Sequence, residues 1–323
     1  MSKITSTIIV CAIVGSAVEA SAASAPIYPS KPVRMVVNGS PGGSNDAMAR
    51  ILAPKLTESW GQPVLVDNRP GASGVIGGDI VAKAAPDGHT FVLVSVRHSV
   101  NPSLVKLPYD PVRDFEPITM TASVGNVLVV NAKTSIKTVK DLIALAKQKP
   151  GELTFASSGL GGAPHLTGEF FALTTGIKLT HVPYKGGVPA ITDLVAGRVS
   201  MSFPTMTTSM PFIRSGSLRP LAVLSKGRSA HLPDVPTMAE AGVPNIVVSD
   251  WQGILAPRGT PKPIVDKLAA DIGNVLRDSR NQERFASLGF EVIASSPQEF
   301  REAIVSEIQR WAKVVKDANI KAE

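Results

Sequence analysis

The sequence predicts an α/β fold of two lobes, each a mainly parallel sheet flanked by helices, joined by two crossover strands. The chain has 323 residues, of which 44% are apolar, so it can bury a sizeable core and is long enough for about two domains. From Pro29 onward, short β-rich runs alternate with helical patterns, as in βαβ units. Two longer extended runs lack an intervening helix, and there the chain is expected to cross between lobes.

Eight runs are predicted as strands, which is many for one sheet but natural for two. In order they are VRMVV, PVLVDN, TFVLVSV, NVLVVN, LTFAS, LTHVPY, VSMSF and LRPLAVLS. The crossings are placed at ASVGNVLVV and VVSDWQGILAP. The predicted organisation is therefore a signal peptide over residues 1–25, lobe 1 over residues 26–125 and 250–323, and lobe 2 over residues 126–249.

The predicted helices show apolar residues at spacings of three and four. The first contains Pro54, which should remove one backbone hydrogen bond and kink the helix. Capping patterns at Thr138 (TVKD) and Ser296 (SPQE) predict two helix starts. The last helix carries a single apolar stripe and should pack on a lobe surface. Its members are Phe300, Ile304, Ile308, Trp311 and Val315.

The N-terminus predicts a cleavable secretory signal. Lys3 precedes the apolar run IIVCAIV, and small-residue cleavage patterns end at Ala20 and Ala25. The run is shorter than the roughly 20 residues of a membrane span. Cys11, the single cysteine of the chain, lies inside the segment to be removed, and the valine before it disfavours a lipid anchor. We therefore expect a disulfide-free periplasmic protein.

The formal charge of +7 excludes few functions by itself. Positive and negative residues are interspersed without blocks of like charge, a pattern that argues against nucleic-acid binding. A diffuse positive field can attract small anions, although simple solubility explains the charge equally well.

Two glycine-rich stretches follow predicted strands: NGSPGGSND at positions 38–46 and SSGLGGAPH at positions 157–165. The first lacks the lysine of a nucleotide P-loop, and the second has Pro164 where a dinucleotide fingerprint needs glycine. What remains is a loop whose backbone amides, at a helix start, favour an anion. The alternative is a plain strand-to-helix turn; two such loops in one exported chain favour a ligand cleft.

Catalytic and metal motifs are absent from the sequence. There is no G-x-S-x-G or H-E-x-x-H, and the histidines do not cluster at metal-ligand spacing. They are His89, His98, His165, His181 and His231. An enzyme assembled from distant residues stays open as an alternative, and no metal or other cofactor is expected.

Linked segments along the chain resemble a known family. They are YPSKPVRMVV, PGGSNDAMAR, GQPVLVDNRPGASG, AKAAPDG, LPYDPVRDFEPI, TVKDLIALAKQKPGELTFAS, HVPYKGG, LPDVPTMAEAG and GTPKPIVDKL. In this order, from Tyr28 to the C-terminus, they resemble the Bug-type receptors, the extracytoplasmic solute-binding subunits of tripartite tricarboxylate transporters. The resemblance implies a type II-like periplasmic binding protein that is not an enzyme.

The resemblance also implies what the protein works with. A small di- or tricarboxylate or aromatic carboxylate would be held between the lobes by main-chain amides, hydroxyls and water. The partners would be the large and small permease subunits in the membrane, with the receptor a monomer that binds no nucleic acid. An enzyme of similar fold and a sensor component of a signalling system are the alternatives.

The site residues implied by the resemblance come from both glycine loops and the return crossing. The segment HVPYKGG, with Tyr184, Lys185 and Gly186, is expected to be structural. The expected ligand contacts in the matched segments are Gly42, Gly43, Ser44, Asp46, Ser157, Ser158, Gly159, His165, Asp250 and Trp251.

Three departures from the family pattern bear on the ligand. Gly39 and Ser40 replace an aromatic residue and a proline, which widens the expected pocket. The stretch SVRHSVNP brings Arg97 and His98 towards the cleft, and FPTMTTS has a proline, followed by Thr205, where an aspartate is common. An added cation and a lost acid favour a dianionic or aromatic carboxylate over an amino acid. Ser40, Arg97, His98 and Thr205 complete the predicted ligand set.

Export should be followed by cleavage after Ala25, with Ala20 as the less favoured site, because both end small-residue patterns behind the apolar run. The intact mass of the protein from a periplasmic extract measures the cleavage point. An uncleaved or lipid-modified chain would contradict this prediction.

Overall fold

The computed structural model describes residues 28–244 and 246–317, which form eleven strands and ten α-helices. The strands are β1 (Val33–Val37), β2 (Val64–Asn68), β3 (Thr90–Ser95), β4 (Phe115–Gly125), β5 (Val127–Asn131), β6 (Thr154–Ser157), β7 (Thr180–Pro183), β8 (Met201–Ser202), β9 (Leu218–Val223), β10 (Ser249–Pro257) and β11 (Phe290–Val292). The helices are α1 (Ser44–Trp60), α2 (Val75–Ala82), α3 (Arg97–Val100), α4 (Val139–Gln148), α5 (Ala163–Thr175), α6 (Gly187–Val195), α7 (Met206–Arg214), α8 (Lys262–Arg277), α9 (Ser279–Ser287) and α10 (Pro297–Asp317). Over the described ranges, no helix combines the length and apolarity needed to cross a membrane. The predicted signal peptide lies outside the described residues.

The strands form two sheets. The six-stranded sheet has the order β11-β4-β10-β3-β1-β2, and the five-stranded sheet has the order β7-β6-β8-β5-β9. The predicted α/β class is confirmed, but both sheets are mixed rather than mainly parallel. β1 pairs in parallel with β2 and β3, whereas β10 runs antiparallel to β3 and β4. In the five-stranded sheet, β6 pairs in parallel with β7 and β8, whereas β5 runs antiparallel to β8 and β9.

Helices cover both faces of each sheet, which explains why the strands are continuous apolar runs. Alternate residues of a strand point to opposite faces. In β1, Val33, Met35 and Val37 belong to the core that includes α1 and α8, and Val36 belongs to the core that includes α10. The five-stranded sheet is built in the same way, with α6 and α7 on one face and α4 and α5 on the other.

The predicted helix starts are confirmed. The Thr138 hydroxyl accepts a hydrogen bond from the Asp141 amide, and the Asp141 carboxylate accepts one from the Thr138 amide. Ser296 and Glu299 make the same reciprocal pair before α10. Pro54 lies inside α1, as expected.

The chain passes between the sheets on two adjacent strands. β4 ends at Gly125 and β5 begins at Val127, while β10 begins at Ser249, which pairs with Gly125. Between β4 and β5, Asn126 is fully buried and donates a hydrogen bond from Nδ2 to the Phe203 carbonyl. The predicted crossing runs are thus strands, although β4 begins further upstream than expected and β11 was not predicted.

Replacing Phe300 with alanine should destabilise the protein by roughly 3–5 kcal/mol, because this fully buried ring joins α10 to β10. The ring packs edge-on against Trp251, with ring centroids 5.4 Å apart. Val305→Ala, on an exposed position of the same helix, should change stability by no more than about 0.5 kcal/mol. Urea denaturation followed by circular dichroism measures both, and similar losses in the two variants would contradict the packing described.

Candidate ligand-binding site

A cavity of about 80 Å³ lies between the two sheets, and we call it the inner cavity. The six-stranded part of the molecule contributes Asn38, Gly39, Ser40, Gly43, Ser44, Asn45, Ser95, Arg97 and Asp250. The five-stranded part contributes Ser158, Pro164, Gly186, Gly187, Ala190, Ser202, Pro204, Thr205 and Thr208. Because both halves line it, a ligand bound here would touch both at once.

Four helices begin at this cavity. The residues before their first turns are Gly43 for α1, Gly162 for α5, Gly186 for α6 and Thr205 for α7, and none of these makes a side-chain capping hydrogen bond. The first amides of a helix have no partner within the helix and carry a partial positive charge. Together these helix starts favour a bound anion.

Glycine is required where the halves approach each other. Gly186 has a φ of +132°, a backbone conformation that residue types other than glycine rarely adopt. A Cβ added at this position would lie 2.4 Å from Ser40 Oγ. The Ser40 hydroxyl instead donates to the Lys185 carbonyl at 2.5 Å. The segment HVPYKGG was expected to be structural, yet its two glycines line the inner cavity.

The first glycine loop is held in shape by Asp46. Its carboxylate accepts hydrogen bonds from the Gly42 amide at 2.9 Å and from Arg50 Nε at 2.8 Å. Burial by itself would raise the pKa of Asp46, but these hydrogen bonds outweigh it and lower the pKa. Asp46 is therefore an ionised carboxylate, and its hydrogen bonds to the Gly42 amide and to Arg50 stabilise the conformation of the loop.

Arg97 supplies a positive charge at the cavity. Its Nη2 donates to the Ser158 carbonyl at 2.9 Å and to the Ser158 hydroxyl. Burial lowers the pKa of the guanidinium, and Asp250 partly offsets that effect, but an arginine keeps its charge in proteins. Burial raises the pKa of Asp250 to about 6, against the opposing influences of Arg97 and of the Val96 amide, which donates to it at 3.3 Å.

The rest of the lining is polar and small. Seven hydroxyl-bearing residues line the cavity, and no aromatic ring is among the described lining residues. Asn45 donates from Nδ2 to Asn38 Oδ1 at 2.8 Å, and its own buried Oδ1 has no hydrogen-bond partner among the described residues. An unpartnered acceptor beside the cavity is a place for a ligand hydroxyl or water to donate.

Seven of the predicted ligand residues line the inner cavity. They are Ser40, Gly43, Ser44, Arg97, Ser158, Thr205 and Asp250. The lining residues that the sequence analysis missed include Asn38, Asn45, Ser95 and Thr208. Asn45 and Thr208 belong to stretches already singled out, GSND and TMTTS, so neighbouring polar residues in those stretches were the available signal.

Two predicted ligand residues in the six-stranded part lie away from the inner cavity. His98 is buried against Tyr109 and Phe115, and its Nε2 lies 2.8 Å from the Pro111 carbonyl oxygen. Burial lowers its pKa to about 4, so the ring is neutral. Trp251 follows Asp250 in β10 and therefore points to the opposite face, where it packs on Phe300.

The remaining predicted contacts shape the loops instead of lining the inner cavity. The Ser157 hydroxyl lies 2.7 Å from His181 Nε2, and the His165 ring stacks on His181 with centroids 4.3 Å apart. Burial lowers the pKa of both histidines to about 4. Gly42 lies in the turn before α1 and donates its amide to the Asp46 carboxylate, and Gly159 lines a neighbouring cavity. In the part of the chain that the structure describes, no group of three acidic, histidine or cysteine residues is arranged to hold a metal.

Comparisons with known proteins agree with this architecture. Residues 48–320 match the family model described as "Tripartite tricarboxylate transporter family receptor". Protein BugT of Bordetella pertussis is 44% identical over 308 residues, covering 94% of each chain.

Solved structures are also similar. Rpa4515 of R. palustris, determined with adipate, has a TM-score of 0.89 at 38% identity and covers 92% of this chain and all of its own. MatC from Rhodopseudomonas palustris, with bound malate, has a TM-score of 0.85 at 31% identity, with 89% of this chain and all of its own covered. The chain therefore belongs to the tripartite tricarboxylate transporter receptor family.

Proposed function

We propose that this protein is a periplasmic solute receptor that binds a small carboxylate in the inner cavity and delivers it to the membrane subunits of a tripartite tricarboxylate transporter. The observation that carries the proposal is the meeting of four helix starts without side-chain caps at one cavity. Their amide groups and the Arg97 guanidinium favour negative charge. Family membership and the relatives solved with adipate and malate support the same ligand class.

Within that proposal, each half of the cavity has a role. Gly43 and Ser44 would offer amides and a hydroxyl from α1, and Thr205 would do so from α7. Arg97 would offset part of the negative charge of the ligand. The seven cavity-lining residues of the predicted set are retained as ligand contacts. The described lining residues are rich in hydroxyl groups and include no aromatic ring, which favours di- and tricarboxylates over aromatic carboxylates.

We also propose that the two sheets are the cores of two lobes that close on the ligand, with lobe 1 over residues 26–125 and 250–323 and lobe 2 over residues 126–249. Support comes from hydrogen bonds that join the two halves around the cavity. Ser40 donates to the Lys185 carbonyl, and Ser73 donates to the Leu160 carbonyl at 2.7 Å. A hinge at the adjacent β4 and β10 crossings would leave such contacts free to open and reform.

A binding role fits the site better than catalysis does. Among the described residues, the hydrogen bond between a serine hydroxyl and a histidine ring is that of Ser157 with His181, and this serine is fully buried outside the inner cavity. No histidine lines that cavity among the described residues. We propose a monomeric receptor that needs no cofactor and whose partners are the large and small permease subunits.

Carboxylates should raise the melting temperature of the purified protein, whereas neutral sugars and nucleotides should not. A ligand that binds only the folded state at a hundredfold excess over its Kd stabilises that state by about 2.7 kcal/mol. Differential scanning fluorimetry with malate, adipate, citrate, glucose and ATP provides the comparison. Stabilisation by glucose but by none of the carboxylates would overturn the proposed function.

Gly43→Val should weaken carboxylate binding at least tenfold while leaving the fold intact. Gly43 begins α1 at the cavity, and an added Cβ would lie 3.1 Å from the Ser40 carbonyl oxygen, so the loop must shift and its amides move. Gly227→Val is the matched control, because Gly227 is exposed and a Cβ added there would meet no other described group within 4 Å. Isothermal titration calorimetry with the stabilising carboxylate measures both variants. Unchanged affinity in a folded Gly43→Val protein would show that this loop does not contact the ligand.

A further inference from the structure

Arg97 stands between two cavities. A second cavity of about 250 Å³, the outer cavity, adjoins the inner one and is lined on its far side by Gly71–Gly74 and by Leu160, Tyr184 and Lys185. The two cavities share Asn38, Gly39, Ser40, Arg97, Ser158 and Gly186. Among these shared residues, Arg97 is the one with a formal charge, so its guanidinium is a positively charged part of the wall between them.

The direct hydrogen-bond partners of this guanidinium are neutral. They are the carbonyl and hydroxyl oxygens of Ser158, and no ion pair within 4 Å involves Arg97 among the described residues. Asp250 lies near enough to interact electrostatically, but its described hydrogen bond comes from the Val96 amide. The positive charge of Arg97 is therefore only partly compensated.

The same guanidinium lies close to the N-terminus of α5. An added Cβ on Gly162, the residue before that helix, would lie 2.5 Å from Arg97 Nη2 and 2.6 Å from its Nε. A cation beside a helix N-terminus meets the positive end of the helix dipole, which is unfavourable. An anion placed between Arg97 and α5 would be attracted by both, so the local electrostatics favour a negatively charged group at this point.

We propose that Arg97 makes the receptor selective for dianions, with one carboxylate of the ligand at the starts of α1, α6 and α7 and the second paired with the Arg97 guanidinium in place of Ser158. This inference rests on the proposed carboxylate-binding function and adds a second anionic subsite to it. The planar guanidinium can bind a carboxylate through two parallel hydrogen bonds, which a serine hydroxyl and carbonyl cannot match in strength. A monocarboxylate would occupy the first subsite alone.

A purely structural role for Arg97 predicts a different outcome. In that role, the hydrogen bonds from Arg97 to Ser158 would join the two halves and would stabilise the closed form equally for every ligand. Loss of the side chain would then weaken monocarboxylates and dicarboxylates by the same factor. Selectivity between matched ligands, measured before and after substitution, separates the two roles.

The experiment compares adipate with hexanoate and malate with 2-hydroxybutyrate, pairs in which a methyl group replaces one carboxylate. Calorimetry on the unaltered protein should show at least one dicarboxylate binding more than about tenfold tighter than its partner, as expected for one charge-assisted pair. Arg97→Met should reduce that ratio to about threefold or less and change the Kd of the monocarboxylate by no more than about threefold. Lys185→Met, which removes the neighbouring cation of the outer cavity, should keep the original ratio.

Arg97→Lys provides a second variant, which keeps the charge but not the planar geometry and should retain an intermediate ratio. Circular dichroism verifies that each variant is folded. Equal binding of both members of each pair by the unaltered protein would overturn the dianion inference and leave the proposed function standing. An equal loss for both members in Arg97→Met and Arg97→Lys would assign Arg97 a structural role. Failure of the unaltered protein to bind or be stabilised by any carboxylate would overturn the proposed function and this inference with it.

Discussion

The antiparallel pairing of β4 with β10 is the constraint on which the site depends. It runs from Gly125 opposite Ser249 to Phe115 opposite Pro257, and it places the two passages between the sheets side by side. β10 also pairs with β3, so Asp250 comes to lie beside the Val96 amide and close to Arg97. A shift of one residue in this register would turn Trp251 towards the cavity and Asp250 into the core.

The electrostatics of the cavity follow from how its helices begin. Three of the four starts have glycine at the N-cap, which supplies no side-chain oxygen to satisfy the first amides. Elsewhere in the chain, Thr138 and Ser296 provide such caps, and those helix starts are partly exposed. Because the first amides of the helices at the inner cavity have no side-chain partners, they remain able to attract a ligand anion.

Much of the fold could be predicted because it depends on local patterns. Each of the eight predicted runs contains a strand, and the capping residues at Thr138 and Ser296 act as expected. The parallel or antiparallel sense of each pair could not be predicted, since it depends on which strand becomes a neighbour. β11, three residues long, is defined by its pairing with β4 and has no clear pattern of its own.

The sequence by itself determined the α/β class, the family and the two glycine loops, because these follow from periodicity, capping chemistry and ordered motifs. The tertiary structure decided which polar side chains reach the cavity. Arg97 and His98 are adjacent in sequence, yet Arg97 lines the cavity and His98 packs against Phe115 in the core. In the same way, Asp250 lines the cavity, whereas Trp251 packs against Phe300 in the core. Successive side chains of a strand or short helix point in different directions. Only the packing of neighbouring elements decides which of these side chains faces the cavity.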